Sequence, residues 1–176
     1  MDIKGLSLKD LAIFLSDYLS KNGIESVLTG GACVSIYTNN KYLSYDLDFV
    51  LLSYVNRKTI TAVLECIGYQ EEGRHFRHED TPFIIEFLAP PPSVGDEPVG
   101  KISEITKNDM TLKLLSPTDC VKDRLAAFFH WNDKQSLEQA VLVFRDNKID
   151  MREIKRWSLK EGMKDKYEIF VNSLAS

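Results

Sequence analysis

The fold of the first part of the chain depends on one stretch, Ser44-Tyr45-Asp46-Leu47-Asp48-Phe49-Val50. Acidic and apolar residues alternate in it, which is typical of a half-buried β-strand. Side chains two residues apart on a strand lie on the same face, about 6 to 7 Å apart. We therefore expect Asp46 and Asp48 to lie side by side, with Leu47 and Phe49 on the opposite face, in the core.

A pair of neighbouring carboxylates indicates a metal site. Each carboxylate raises the proton affinity of the other unless a cation neutralises them. Carboxylate oxygens are hard ligands that suit Mg²⁺ or Mn²⁺. The alternative is a half-exposed edge strand on which Asp46 and Asp48 are only solvated.

Two glycines upstream of this strand favour the metal-site interpretation. Gly30 and Gly31 lie between a predicted strand at residues 26–29 and a predicted helix start. Because glycine has no Cβ, a phosphate can approach the backbone N–H groups at the positive end of such a helix. The alternative is an ordinary turn.

A third acidic residue, Glu86, interrupts the otherwise apolar stretch of residues 83–88. A lone buried carboxylate there would cost several kcal/mol or remain protonated. If this strand lies beside the strand of Asp46 and Asp48, Glu86 can share their cation. The alternative is that Glu86 faces solvent on the open side of the sheet.

The first 115 residues are predicted to mix helices and strands. Ser7 and Asp10 form an N-terminal cap for the first helix, and Asn56 can cap a later one. The segment 90–100, rich in proline and glycine, is either a solvated connection or a flap over a cleft. We expect strands at residues 26–29, 46–52, 76–78, 83–88 and 110–115.

From Ser116 onward the chain is predicted to be helical. Ser116 is an N-cap residue, and Pro117 follows it at the first helical position. The fold class that we expect is α+β, with α and β elements mixed in a small mixed sheet flanked by helices. The sheet and its helices would occupy residues 1–115, and a C-terminal helical subdomain packed against them would occupy residues 116–176.

Composition narrows the classes of function. The 176 residues carry 22 Lys and Arg against 26 Asp and Glu, a formal charge of −4, so no overall positive field attracts nucleic acid. Cys33, Cys66 and Cys120 are odd in number and widely spaced, which favours a reducing, cytoplasmic environment. No apolar run approaches the roughly 20 residues needed to span a bilayer, so we expect no membrane partner. His75 and His78 are predicted on opposite faces of a strand, which argues against zinc.

Together, Gly30 with Gly31, Asp46 with Asp48, and Glu86 resemble the signature of the DNA polymerase beta-like nucleotidyltransferase superfamily. Within it, the chain is similar to small prokaryotic proteins related to the nucleotidyltransferase toxins of abortive-infection systems (AbiEii-like). Ser44, two residues before Asp46, matches a position that is often Ser or Thr in these proteins. The stretch of residues 115–133 resembles their C-terminal segment, with Arg124 before Leu-Ala and Asp133 one helix later.

The resemblance implies metal-dependent transfer of a nucleoside monophosphate from a nucleoside triphosphate to a hydroxyl group. Asp46, Asp48 and Glu86 would be catalytic and would hold Mg²⁺ or Mn²⁺. Glu86 would also take the proton of the acceptor. The residues implied in nucleotide binding are Gly30, Gly31, Ser44, Lys122, Arg124 and Asp133.

Three of these residues have a second interpretation from helical geometry. Lys122 and Arg124 border the apolar face of Val121 and Leu125, so each either reaches a triphosphate or only pairs with a surface acid. Asp133 is either a nucleotide contact or the N-cap of the next helix.

The leading expectation is therefore a metal-dependent nucleotidyltransferase, related in function to toxin–antitoxin systems. Its acceptor would be tRNA, a protein hydroxyl or a small molecule, and its oligomeric state is open. The alternative is a nucleotidyltransferase fold used without catalysis, as a nucleotide-binding or protein-interaction module. Two departures from the family pattern motivate it: no arginine precedes Ser44, and Arg124 replaces the usual lysine. A general nucleic-acid binder fits poorly with the negative charge.

Overall fold

The computed structural model describes residues 3–175, which form a mixed sheet flanked by helices, as expected for an α+β protein. The ends of the two predicted parts, at residues 1, 2 and 176, lie outside the described residues. The helices are α1 Leu8–Lys21, α2 Gly30–Tyr37, α3 Arg57–Glu65, α4 Pro117–Trp131, α5 Lys134–Asp146, α6 Met151–Lys160 and α7 Lys164–Leu174. The strands are β1 Ser26–Thr29, β2 Asp46–Leu51, β3 Gln70–Glu72, β4 His75–Arg77, β5 Ile84–Leu88, β6 Ser93–Val94, β7 Glu97–Pro98, β8 Ile102–Lys107 and β9 Met110–Leu115.

The sheet has the order β3-β4-β5-β2-β1-β9-β8. Strand β2 lies in its middle, antiparallel to β1 and parallel to β5. A central strand is paired on both sides, so the alternative of a half-exposed edge strand for Asp46 and Asp48 does not apply.

Local sequence signals account for the helix ends. The Ser7 hydroxyl accepts the backbone N–H of Asp10 at the start of α1, and Ser116 does the same for Asp119 at α4. Helix α4 ends where Asn132 adopts a left-handed conformation with φ of 56°. Asp133 then caps α5 by accepting the N–H of Gln135.

The two faces of the sheet differ in burial, and this difference positions the site. One face carries the fully buried apolar side chains Leu28, Leu47, Phe49, Phe76, Ile85, Leu112 and Leu114. Helix α1 packs on β1 and β9. On the opposite face, one row of paired residues crosses the sheet, and its members are Thr29, Asp48, Glu86, His75 and Glu72.

The segment 90–100, expected to be a solvated connection or a flap, contains a short hairpin. This is the β6–β7 hairpin, with Val94 only 3% exposed. Glu97 accepts hydrogen bonds from Arg156 and Lys160 of α6, and the Asp96 N–H donates to Glu161. The hairpin is therefore fastened to the C-terminal helices.

The strands end at Leu115 and the C-terminal helices begin at Pro117, near the predicted change from sheet to helices. Helix α2 packs on α4 and α5, so the two parts are in contact. Strand β8 was not among the expected strands; it pairs with β9 over residues 102–107. None of the helices within residues 3–175 has the length and apolar character needed to cross a membrane.

Candidate active site

The sheet register brings together the two sequence stretches that carry the predicted acids. Asp48 is paired with Thr29 of β1 on one side and with Glu86 of β5 on the other. Adjacent strands are about 4.8 Å apart, and directly paired side chains lie on the same face. Asp46 lies two residues before Asp48 and is exposed. The expectation that the Glu86 strand lies beside the aspartate strand is confirmed.

The electrostatics around Asp48 are unfavourable for a bare carboxylate. Burial raises the pKa of Asp48 to about 6, and the negative charges of Asp46 and Glu86 add to the increase. Arg124 opposes this increase only in part. A cation placed between these groups would relieve the repulsion, and the hard oxygen donors of Asp46 and Asp48 fit Mg²⁺ or Mn²⁺.

The two glycines lie directly against the acidic strand. Gly30 has a φ of +67°, and a Cβ at this position would stand 2.6 Å from Oδ2 of Asp48. A Cβ on Gly31 would stand 3.1 Å from the Ser44 hydroxyl. Helix α2 begins at Gly30, and the side chain of its N-cap residue Thr29 makes no capping bond. The first N–H groups of α2 therefore have no side-chain cap from Thr29.

Ser44 holds the start of β2. Its hydroxyl accepts the N–H of Asp46 at 3.2 Å and donates to the carbonyl of the same residue at 3.1 Å. Its own N–H donates to the Ser35 hydroxyl of α2 at 2.8 Å. Ser44 thus fixes Asp46 relative to α2, and a direct contact of Ser44 with a nucleotide stays a prediction.

Arg124 is brought near the acidic residues, and its charge is partly balanced. Its Nε donates to Asp123 at 3.0 Å, and its Nη1 donates to Gln139 of α5 at 3.3 Å. Burial disfavours the charged form of Arg124, but the Asp123 carboxylate keeps its pKa above the ordinary value. Arg124 therefore supplies a fixed positive charge that lowers the pKa of Asp48.

Lys122 and Asp133 are engaged elsewhere. The Lys122 amine is 3% exposed and lies 3.1 Å from Glu153, 3.4 Å from Asp119 and 4.0 Å from Glu97. This is the buried end of the network that fastens the hairpin, so the expectation of a nucleotide contact at Lys122 gains no support from its position. Asp133 has its expected capping role, and its hydrogen bond from the Ser136 hydroxyl keeps its pKa below the ordinary value.

Glu86 is turned toward β4. Its Oε2 lies 3.3 Å from Nε2 of His75, and its Oε1 lies 3.4 Å from Nε of Arg74. Within residues 3–175, no group of three or more His, Cys, Asp or Glu side chains is arranged to hold a metal ion. The structure thus places Glu86 beside Asp48 without gathering all three carboxylates into one ligand cluster.

Sequence reasoning missed four residues of this region: Arg74, His75, Asp123 and Gln139. His75 and Arg74 reach Glu86 only through the register between β4 and β5, for which the sequence carries no signal. Asp123 adjoins Arg124 in α4, but residues i and i+1 of a helix do not usually face each other, so adjacency alone did not predict this pair.

Comparison with known proteins supports the fold. No protein-family profile matches the sequence, and no curated protein sequence matches it. Among solved structures, an antigenic nucleotidyltransferase-like protein from Paracoccidioides brasiliensis has a TM-score of 0.57 at 15% identity, covering 77% of this chain and 74% of its own. The lincomycin-bound lincosamide antibiotic adenylyltransferase LnuA has a TM-score of 0.56 at 16% identity, covering 81% and 99%. The complex of ANT(2'')-Ia with adenylyl-2''-tobramycin has a TM-score of 0.51 at 13% identity, covering 94% and 97%.

The chain therefore has the nucleotidyltransferase fold. At these identities the likeness concerns the fold alone. The resemblance to abortive-infection proteins stays a prediction.

Proposed function

We propose that the protein is a metal-dependent nucleotidyltransferase that transfers a nucleoside monophosphate from a nucleoside triphosphate to a hydroxyl group. The observation that carries the proposal is the position of Asp48, which is paired with Glu86 in the sheet and lies against Gly30 at the start of α2, where Thr29 supplies no side-chain cap. Carboxylates for a cation and free N–H groups for phosphate then lie side by side, as nucleotidyl transfer requires.

Asp46 and Asp48 are the proposed metal ligands. A bound divalent ion supplies positive charge for the triphosphate and lowers the pKa of the acceptor hydroxyl. Ser44 fixes the position of Asp46, and the N–H groups that begin α2 after Gly30 and Gly31 bind phosphate oxygens. Arg124 adds a fixed positive charge from α4, held in place by Asp123.

Glu86 is proposed on the acceptor side, where its carboxylate takes the proton of the attacking hydroxyl. Its further role as a metal ligand requires its oxygens to leave Arg74 and His75. Lys122 and Asp133 are not part of this proposal, because their side chains are engaged in an ion-pair network and in a helix cap.

For the acceptor, a small hydroxylated molecule is the class to test first, with ATP as the donor. Two structural neighbours support this choice, since one is a lincosamide antibiotic adenylyltransferase and the other was solved with adenylyl-2''-tobramycin. The same assay also tests a toxin-related role, in which tRNA or a protein would be the acceptor.

A second candidate is nucleotide binding without catalysis. It is favoured by the orientation of Glu86 toward β4 and by the pairing of Arg124 with Asp123. In that case the protein would bind a nucleoside triphosphate with an affinity insensitive to Mg²⁺, and would release no pyrophosphate.

The test incubates the purified protein with Mg²⁺ and nucleoside triphosphates radiolabelled at the α-phosphate. The acceptors are lincomycin, tobramycin, bulk tRNA and a cell extract, each in a separate reaction. We expect a labelled product in at least one reaction, abolished by Asp48→Asn and retained by Asp80→Asn, an exposed control. Equal labelling by the Asp48 variant, or no Mg²⁺-dependent binding of any triphosphate by calorimetry, would contradict the proposal.

A further inference from the structure

His75, the first residue of β4, and Arg74, just before it, contact the two oxygens of Glu86. His75 is the direct cross-strand partner of Glu86, and its Nε2 lies 3.3 Å from Oε2. Nε of Arg74 lies 3.4 Å from the other oxygen of Glu86 and donates a hydrogen bond to Nε2 of His75 at 3.1 Å. The carboxylate is thus held from the side opposite to Asp48.

The two contacts differ in how firmly they can hold Glu86. The Arg74 side chain is 77% exposed, so water competes for it and its long side chain is free to move. His75 is 25% exposed and Glu86 is 20% exposed, and the paired backbones fix the distance between them. Because the imidazole has few rotamers, His75 is the stronger constraint on Glu86.

For His75 to donate a hydrogen bond to Glu86, the imidazole proton must be on Nε2. A single nitrogen cannot donate to Glu86 and accept from Arg74 at the same time. In the tautomer protonated on Nδ1, Nε2 accepts the N–H of Arg74. With the proton on Nε2, His75 donates to Oε2 instead, and the exposed Arg74 side chain is left with Oε1.

We propose that His75 is a positioning residue that orients the Glu86 carboxylate toward the acceptor hydroxyl. The proposal rests on the proposed function and adds to it a group that does not touch the substrate. In the step concerned, the hydroxyl oxygen bonds to the α-phosphorus, and the bond from that phosphorus to the bridging oxygen breaks. Pyrophosphate leaves with that bond's electron pair, and the hydroxyl proton passes to Glu86. His75 exchanges no proton and keeps the accepting oxygen in place.

The test compares His75→Leu, which removes the donor, with His75→Gln, whose amide nitrogen reaches nearly as far as Nε2. Arg77→Gln is the control on the same strand, because Arg77 is exposed and pairs with Glu72. The probe is ATP with Mg²⁺ and water as acceptor, followed as pyrophosphate release. We expect His75→Leu to lower kcat about 10- to 100-fold, with the KM for ATP changed less than about twofold. His75→Gln should recover most of kcat, and Arg77→Gln should match the wild type.

A second readout does not depend on turnover. In crystals of His75→Leu we expect the Glu86 carboxylate to adopt a different orientation, whereas in His75→Gln it should keep the orientation seen here. An unmoved Glu86 in His75→Leu overturns the proposal. An unchanged kcat in His75→Leu also overturns it, when Asp48→Asn abolishes the same activity. If the wild-type chain releases no pyrophosphate with water or with any acceptor named above, the proposed function is contradicted, and the orientation of Glu86 in the crystals still decides the positioning.

Discussion

Replacing Asp48 by Asn should stabilise the metal-free protein at neutral pH. The Asp48 carboxylate is largely buried beside Asp46 and Glu86, and its pKa rises from 3.8 to about 6. A difference of about two pKa units corresponds to about 3 kcal/mol at most. Because the side chain keeps some access to water, we expect about 1–3 kcal/mol for the neutral amide, which fits the same space beside Gly30. For a chain of this size, about 2 kcal/mol corresponds to roughly 4–8 °C in Tm.

The pH dependence of this effect follows from the direction of the pKa change. Since the folded state holds the Asp48 proton more tightly than the unfolded state, the wild type loses stability as pH rises from about 4 to about 6. The advantage of Asp48→Asn should therefore be absent near pH 4, grow over this window and stay constant above it.

The assay is thermal unfolding in EDTA at pH values from 4 to 8, with Asp80→Asn as the exposed control. An Asp48 variant that is no more stable than the wild type at pH 8 would refute the reasoning. An advantage of equal size at pH 4 would refute it too, because it could not come from the charge. Adding Mg²⁺ and a triphosphate should stabilise the wild type and leave the variant unchanged.

Three further substitutions test other parts of the account. Lys122→Met should lower the free energy of unfolding by about 2–4 kcal/mol in denaturant titrations, because it removes the partner of the buried Asp119 and the half-buried Glu153. Triphosphate affinity should not change, and weakened binding in a folded variant would return Lys122 to the site. Gly30→Ala should lower the free energy of unfolding by about 2–4 kcal/mol and weaken triphosphate binding, since its Cβ would meet Asp48. The control Gly23→Ala has a similar φ but open space around the Cβ, so it should lower the free energy of unfolding by only about 1 kcal/mol. Glu97→Gln should make the free energy of unfolding depend less on pH in acid. Hydrogen bonds from Arg156 and Lys160 lower the pKa of Glu97 to about 2. The stability that Glu97 provides above pH 4.5 is therefore lost as pH falls toward 2. Identical curves for the variant and the wild type would rule out that contribution.

The sequence predicted the centre of the site because its signals are local. Alternation around Asp46 and Asp48 defines β2 at residues 46–51, one residue shorter than expected. The caps at Ser7, Asn56 and Ser116 define the starts of three helices. The position of Glu86 could be inferred because burying a carboxylate in an apolar strand is costly unless a cation or another partner compensates for it.

What the sequence could not predict depends on contacts between distant segments. Lys122 borders an apolar face in the helical projection, but whether it reaches a nucleotide or the Glu153 carboxylate depends on how α6 packs against α4. The contact of His75 with Glu86 depends on strand register, and a shift of one residue would place His75 on the other face. The contact of Arg124 with Gln139 likewise depends on the packing of α4 against α5.

The most direct test of the account is a crystal structure with Mn²⁺ and a non-hydrolysable nucleoside triphosphate, using the anomalous signal of manganese to locate the ion. We predict an ion bound by Asp46 and Asp48, with phosphate oxygens at the N–H groups that follow Gly30. Manganese bound at other residues, or a triphosphate bound away from the start of α2, would contradict the assignment of this row of acids as the catalytic centre.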